Sequence, residues 1–151
     1  MTRTACLLAL CTATFATAAF AHSGHDHGEA KGIVRERMDA MTTMGEHLLA
    51  MIRRARANKD FASVPKDARA IHDLSVKIPA QFPPGSNQHP TEAKPDIWRQ
   101  WPDFTSKAKA LELAIEKLLA TDVRDKKAMT LQIHAVEQTC TDCHQHYRMN
   151  K

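Results

Sequence analysis

Residues 34–52 read Val34-Arg35-Glu36-Arg37-Met38-Asp39-Ala40-Met41-Thr42-Thr43-Met44-Gly45-Glu46-His47-Leu48-Leu49-Ala50-Met51-Ile52. Val34, Met38, Met41, Gly45, Leu48 and Ile52 fall at steps of 4, 3, 4, 3 and 4, which is one face of an amphipathic helix. Arg53, Arg54 and Arg56 follow at its far end, where cations suit the negative pole of the helix dipole. A second helix is signalled by Ser63 as N-cap and Pro65 in the first turn, with Ile71, Leu74 and Ile78 as its stripe and Pro79 as its end. Residues 79–95 hold five of the seven prolines and read as a long loop, a crossover or the wall of a site. A third helix begins near Ile97 or Asp103 and runs to Ala120, striped by Phe104, Ala108, Leu111, Ile115 and Leu118. The last runs from about Asp125 to Arg148. With no strand candidate and no internal repeat, this pattern predicts an all-α protein, an antiparallel four-helix bundle.

The four cysteines of this 151-residue chain form two unrelated pairs. Cys6 and Cys11 lie in a front segment with a basic start at Arg3, an apolar run from Ala5 to Phe20 and the triplet Ala19-Phe20-Ala21. This is the pattern of a secretory signal cleaved after Ala21, and the run is short for a spanning helix. Residues 22–30, with His22, His25 and His27, read as a flexible leader that could hold copper, nickel or zinc weakly or simply be solvated. Residues 31–151 are then one domain, exported to the periplasm in a bacterial source. The net charge of +4 is mild and no basic patch interleaves with aromatics, which argues against nucleic-acid binding. The aromatics after residue 21 are Phe61, Phe82, Trp98, Trp101, Phe104 and Tyr147. Such a core is aliphatic, or it takes a large flat hydrophobe from outside the sequence.

Cys140-Thr141-Asp142-Cys143-His144 is a C-x-x-C-H, the attachment pattern of haem c. On a helix, Cys140 and His144 share a face one turn apart and Cys143 lies three on from Cys140. Two thioethers can therefore hold the porphyrin edge while the imidazole reaches the iron. A thioredoxin-like dithiol wants a strand before the helix, and a zinc site wants two more ligands. A plain disulfide stays open, because export permits one.

His144 fills one axial position of the iron, and the other decides what the protein does. The first helix supplies Met38, Met41, Met44 and Met51. At ~100° per residue Met41 sits near the centre of the stripe, Met38 and Met44 diverge by about 60°, and His47 points about 120° away. Arg37, one turn before Met41, is placed to meet a haem propionate. A methionine stripe also serves as core filling, so spacing leaves ligation and packing equally open. Nothing supplies a catalytic base near the haem, since His134 and His146 default to the surface, and the chain reads as no enzyme.

The terminal Cys140-Thr-Asp-Cys143-His144-Gln-His-Tyr-Arg148 resembles the class II cytochromes c, whose motif lies near the C-terminus. Arg37-x-x-x-Met41-x-x-x-Gly45, Phe82-Pro-Pro-Gly-Ser86 and Ala93-Lys-Pro-Asp-Ile-Trp98 resemble the low-spin members of the cytochrome c-556 type. The resemblance covers essentially the whole chain after the leader. It implies a monohaem one-electron carrier with one covalent haem c, His144 and Met41 as axial ligands, and Arg148 as a second propionate partner. It implies redox partner proteins, no membrane-spanning segment, and leaves monomer and homodimer both open. The alternative within the same fold is a five-coordinate, cytochrome c prime-like protein that binds nitric oxide or carbon monoxide.

Overall fold

A computed structural model describes residues 29–149. The expected signal peptide, its cleavage after Ala21, and His22, His25 and His27 of the leader lie outside the described residues. Ala30 is already buried, so the packed domain starts at the end of the leader segment.

Helix α1 spans Gly32–Arg56. Its C-terminus closes as a Schellman motif. The Lys59 N–H donates to the Arg54 carbonyl and the Asn58 N–H to that of Ala55, both at 3.1 Å, with Asn58 left-handed at φ 46°. Asn is one of the few residues with a side chain that accept this conformation cheaply. Helix α2 spans Val64–Ser75. Ser63 occupies its N-cap position but does not cap: its backbone is already helical and its buried hydroxyl has no hydrogen-bond partner. A capping hydroxyl works from an extended residue. Asp60 accepts from the Ala62 N–H at 3.1 Å, which shapes the turn ahead of the helix without capping it.

The crossover from residue 76 to 100 is more structured than its prolines suggest. It holds a 3-10 turn at Pro79–Gln81 and the one-turn helix α3 at Asp96–Arg99. Between them the Ser86 N–H donates to the Pro83 carbonyl, with Gly85 at φ +81° as a type II turn demands of its third residue. Helix α4 spans Trp101–Leu119. The break before it has a cause in the sequence: Pro102 cannot donate to the Trp98 carbonyl and its ring would clash there. Helix α5 spans Lys126–Tyr147, capped by Asp125, which accepts from the Ala128 N–H at 2.9 Å.

The four long helices close a square in which α1 packs on α2, α2 on α4, α4 on α5 and α5 on α1. The pairs Asp103–Tyr147 and Lys107–Asp142 step in opposite directions along α4 and α5, as antiparallel neighbours must. At the other end Lys126 Nζ donates to the Asn58 carbonyl at 3.0 Å, so α5 begins where α1 finishes. The core between them is chiefly aliphatic: Val64, Ile71, Ile115, Leu118, Ile133 and Val136 are essentially inaccessible. The all-α, antiparallel four-helix bundle expected from periodicity is the fold, with α3 as an extra turn in the crossover.

The buried line of α1 is rotated from the expected stripe. Arg37, Ala40, Met44, Met51 and Ile52 are its buried residues, whereas Met41 and Leu48 are half-buried and Gly45 is exposed. A helix flanked by two neighbours buries the line between them, and counting apolar residues gives the wrong centre when one flank is Met-rich.

Candidate haem site

The two cysteines of the C-x-x-C-H lie on the last turns of α5, half-buried against the core and not joined to each other. Burial raises both thiols above their usual range, Cys143 to about 11, so each is protonated at neutral pH. Among the described residues no cluster of three or more His, Cys, Asp or Glu is arranged to hold a metal ion. His144 lies one turn beyond Cys140 on the exposed side of α5. Desolvation, and then the Arg148 cation, hold its imidazole pKa below the ordinary value, which favours the neutral form that ligates metals.

The opposite wall comes from α1. Stepping 17 residues back from Asn58 reaches Met41, and 17 forward from Lys126 reaches Cys143. At 1.5 Å per residue both lie about 26 Å from the end where the two helices meet. Met41 is therefore level with the C-x-x-C-H and half-buried against the same core as Cys140 and Cys143. Met44 and Met51 are consumed by the core itself, at 7% and 0% exposure. Gly45, one turn past Met41, faces open space: a Cβ built there meets nothing within 4 Å. Two thiols and an imidazole in C-x-x-C-H spacing, facing a thioether and a bare helix face, are a donor set that fits haem c.

Arg37 is 3% exposed. Its Nη1 donates to the Gln81 carbonyl and the Ser86 hydroxyl, both at 3.2 Å. Its Nη2 donates to the Ser86 carbonyl at 2.9 Å and the Thr91 hydroxyl at 2.7 Å. The guanidinium also stacks over Phe82, 4.4 Å from the ring centroid. The residue expected beside a propionate thus grips the crossover through both terminal nitrogens. Arg148 grips the same segment from α5, its Nε donating to Glu92 at 2.6 Å. An antiparallel bridge pairs Ala93 with Arg148, and the Met149 N–H donates to the Glu92 carbonyl at 2.8 Å.

Two contacts had no signal in the sequence because their partners lie 35 and 44 residues apart. Lys107 on α4 donates to Asp142, inside the C-x-x-C, at 2.7 Å. Tyr147 donates to Asp103 at 2.5 Å and packs edge-on against Phe104, 5.4 Å between centroids. Burial and the Asp103 carboxylate both raise the Tyr147 pKa well above the phenol value. The chain has one tyrosine, so its titration can be read without ambiguity. We expect the folded protein to show no tyrosinate near pH 10, where a free phenol is half ionised. Because the unfolded chain does ionise there, stability falls as pH rises past about 10. Ring-proton NMR of Tyr147 through alkaline pH checks this, and a midpoint near 10 would contradict it.

Comparison with known proteins places the chain in a family. Residues 32–148 match the family model described as Cytochrome C'. A cytochrome c-556 of Agrobacterium tumefaciens (strain II Chrys) is 33% identical over 122 residues, 80% of this chain and 99% of that one. A cytochrome c' of Alcaligenes xylosoxydans xylosoxydans is 30% identical, over 78% of this chain and 94% of its own. Among solved structures, the nitric oxide complex of a point mutant of cytochrome c prime from Alcaligenes xylosoxidans superposes with a TM-score of 0.71. It is 28% identical and covers 78% of this chain and 94% of that one. The chain belongs to the cytochrome c prime family, the class II cytochromes c, and is a monohaem c-type cytochrome with covalently bound haem c.

Proposed function

We propose that the protein is an exported, periplasmic one-electron carrier. Cys140 and Cys143 hold the haem as thioethers, and His144 and Met41 bind the iron from its two faces. Haem c supplies a single-electron ferric–ferrous couple, and a thioether ligand favours the ferrous state. The observation that carries the reading is the level of Met41. It lies opposite the C-x-x-C-H on the adjoining helix, outside the tightly packed line that takes Met44 and Met51. With both axial positions filled by side chains on packed helices, little has to move when an electron arrives or leaves. Arg37 and Arg148 complete the surroundings of the cofactor, and each also holds the crossover that walls it.

Export rests on the apolar run Ala5–Phe20 and the Ala19-Phe20-Ala21 triplet. No described helix is long and apolar enough to cross a membrane. The competing reading is a five-coordinate protein that takes nitric oxide or carbon monoxide on the open face. It draws on the likeness to a cytochrome c prime solved with nitric oxide bound. Optical spectra of the purified protein separate the two. The carrier gives low-spin ferric and ferrous haem with the far-red sulfur-to-iron band. High-spin spectra in both states would establish the gas-binding form instead.

A further inference from the structure

The charge of the bundle is unevenly placed. At the end where α1 finishes and α5 begins, Arg53, Arg56, Lys59, Lys126 and Lys127 are all exposed. No ion pair engages Arg53, Arg56, Lys59 or Lys127 among the described residues. The carboxylates of the two loops at this end, Asp60, Asp122 and Asp125, are outnumbered by the cations. Asp60 accepts from the Ala62 N–H, Asp125 caps α5, and Asp122 is matched by Arg124 at 2.7 Å. Two large apolar side chains lie behind the cations, each one helical turn further from this end than Arg53 or Lys127. Leu131 is 65% exposed, four residues after Lys127, and Leu49 is 43% exposed, four residues before Arg53.

This end is remote from the chemistry. From Lys126 to Cys140 and His144 is 14 and 18 residues of α5, about 21 and 27 Å. Electron tunnelling falls off exponentially with distance, so a redox partner seated here would exchange electrons poorly. The patch therefore serves attachment, not electron exit. A cationic surface is what an anionic bilayer attracts, through its lipid phosphates.

We propose that the bundle docks end-on to anionic phospholipid through Arg53, Arg56, Lys59 and Lys127. The protein then stands upright on the bilayer and presents the C-x-x-C-H end to partners diffusing along it. The inference goes beyond the carrier reading and is independent of how the iron is ligated. It needs only that the haem ride on the far end of α5.

The test is sedimentation of the exported, haem-loaded protein with vesicles of phosphatidylcholine, with and without phosphatidylglycerol. Binding is expected only where phosphatidylglycerol is present, and it should weaken as salt shortens the screening length. Each cation near such a surface is worth about a fivefold change in affinity. The triple reversal Arg53→Glu, Arg56→Glu, Lys127→Glu should therefore lose more than roughly a hundredfold. The haem spectrum and helical circular dichroism serve as controls for folding. Lys31→Glu with Lys77→Glu, at the opposite end, should leave binding unchanged. If the triple variant does not fold, Lys59→Gln and Lys127→Gln should still lower affinity in graded steps. Absence of binding to anionic vesicles, or equal loss in the opposite-end pair, overturns the proposal. Salt-sensitive binding to polyglutamate without binding to vesicles also overturns it, in favour of an acidic protein.

Discussion

Replacing Met41 with alanine is expected to convert the ferric haem from low spin to high spin and to abolish the far-red sulfur-to-iron band. The substitution removes the one thioether that is level with Cys143 and not enclosed by the core. An alanine methyl cannot reach the iron, which leaves His144 as the sole protein ligand. Exogenous nitric oxide or carbon monoxide should then bind the vacated face readily. The other methionines of α1 give the contrast. Met44→Ala should cost about 2–4 kcal/mol in stability, as a buried large-to-small change does, and leave the spectrum low-spin. Met38→Ala should disturb neither strongly. The electronic spectra of the three variants, beside their urea midpoints, separate ligation from packing. A low-spin Met41→Ala protein, or a high-spin Met44→Ala protein, would refute the assignment.

Removing the Arg37 guanidinium should be the most damaging single change to the fold. Arg37→Met keeps the aliphatic stem but strands the Gln81 and Ser86 carbonyls and the Ser86 hydroxyl, leaves the Thr91 hydroxyl with only the Ala93 N–H, and removes the cation over Phe82. Each buried acceptor left without a donor costs about 1–3 kcal/mol, and relaxation of the crossover recovers part of the total. We expect a net loss of about 3–4 kcal/mol. With a urea slope of about 1–3 kcal/mol per molar for a protein of this size, the midpoint falls by more than about 1 M. Arg37→Lys should rescue less than half of this, because an ammonium cannot donate in two directions from a planar fork. Circular dichroism at 222 nm through a urea series measures both variants. A loss below about 1 kcal/mol would mean that the crossover is held by other contacts.

Much of this was legible in the sequence, and the reasons differ by feature. The long helices were readable because their stripes recur at helical spacing, and C-x-x-C-H because its geometry is local to one helix. Met41 could be singled out by angle from its neighbours, but its level against Cys143 depends on how α1 and α5 are aligned. That alignment is fixed at Asn58 and Lys126, far from the motif. Arg37 was picked out as a cation near the site. Its grip on Ser86 and Thr91 was invisible, because it spans some fifty residues and depends on a turn made by Gly85. Ser63 shows the reverse failure, since a residue of the right type in the right place still lacked the backbone conformation a cap requires. The buried line of α1 was misplaced for the same kind of reason: periodicity locates an apolar face, but the positions of two neighbouring helices decide which edge of it is enclosed.

The antiparallel bridge between Ala93 and Arg148 has a consequence for the order in which the molecule assembles. A chain that emerges amino end first presents α1, α2, the crossover and α4 before it presents the bridge partner. Arg37 can seize the crossover as soon as residue 91 is out, but Glu92, Ala93 and Lys94 must wait for Tyr147, Arg148 and Met149. The segment that carries both cysteines is also the one that fastens the wall, and it arrives after α4. Closure of the bundle is thereby postponed until the haem-bearing helix is available.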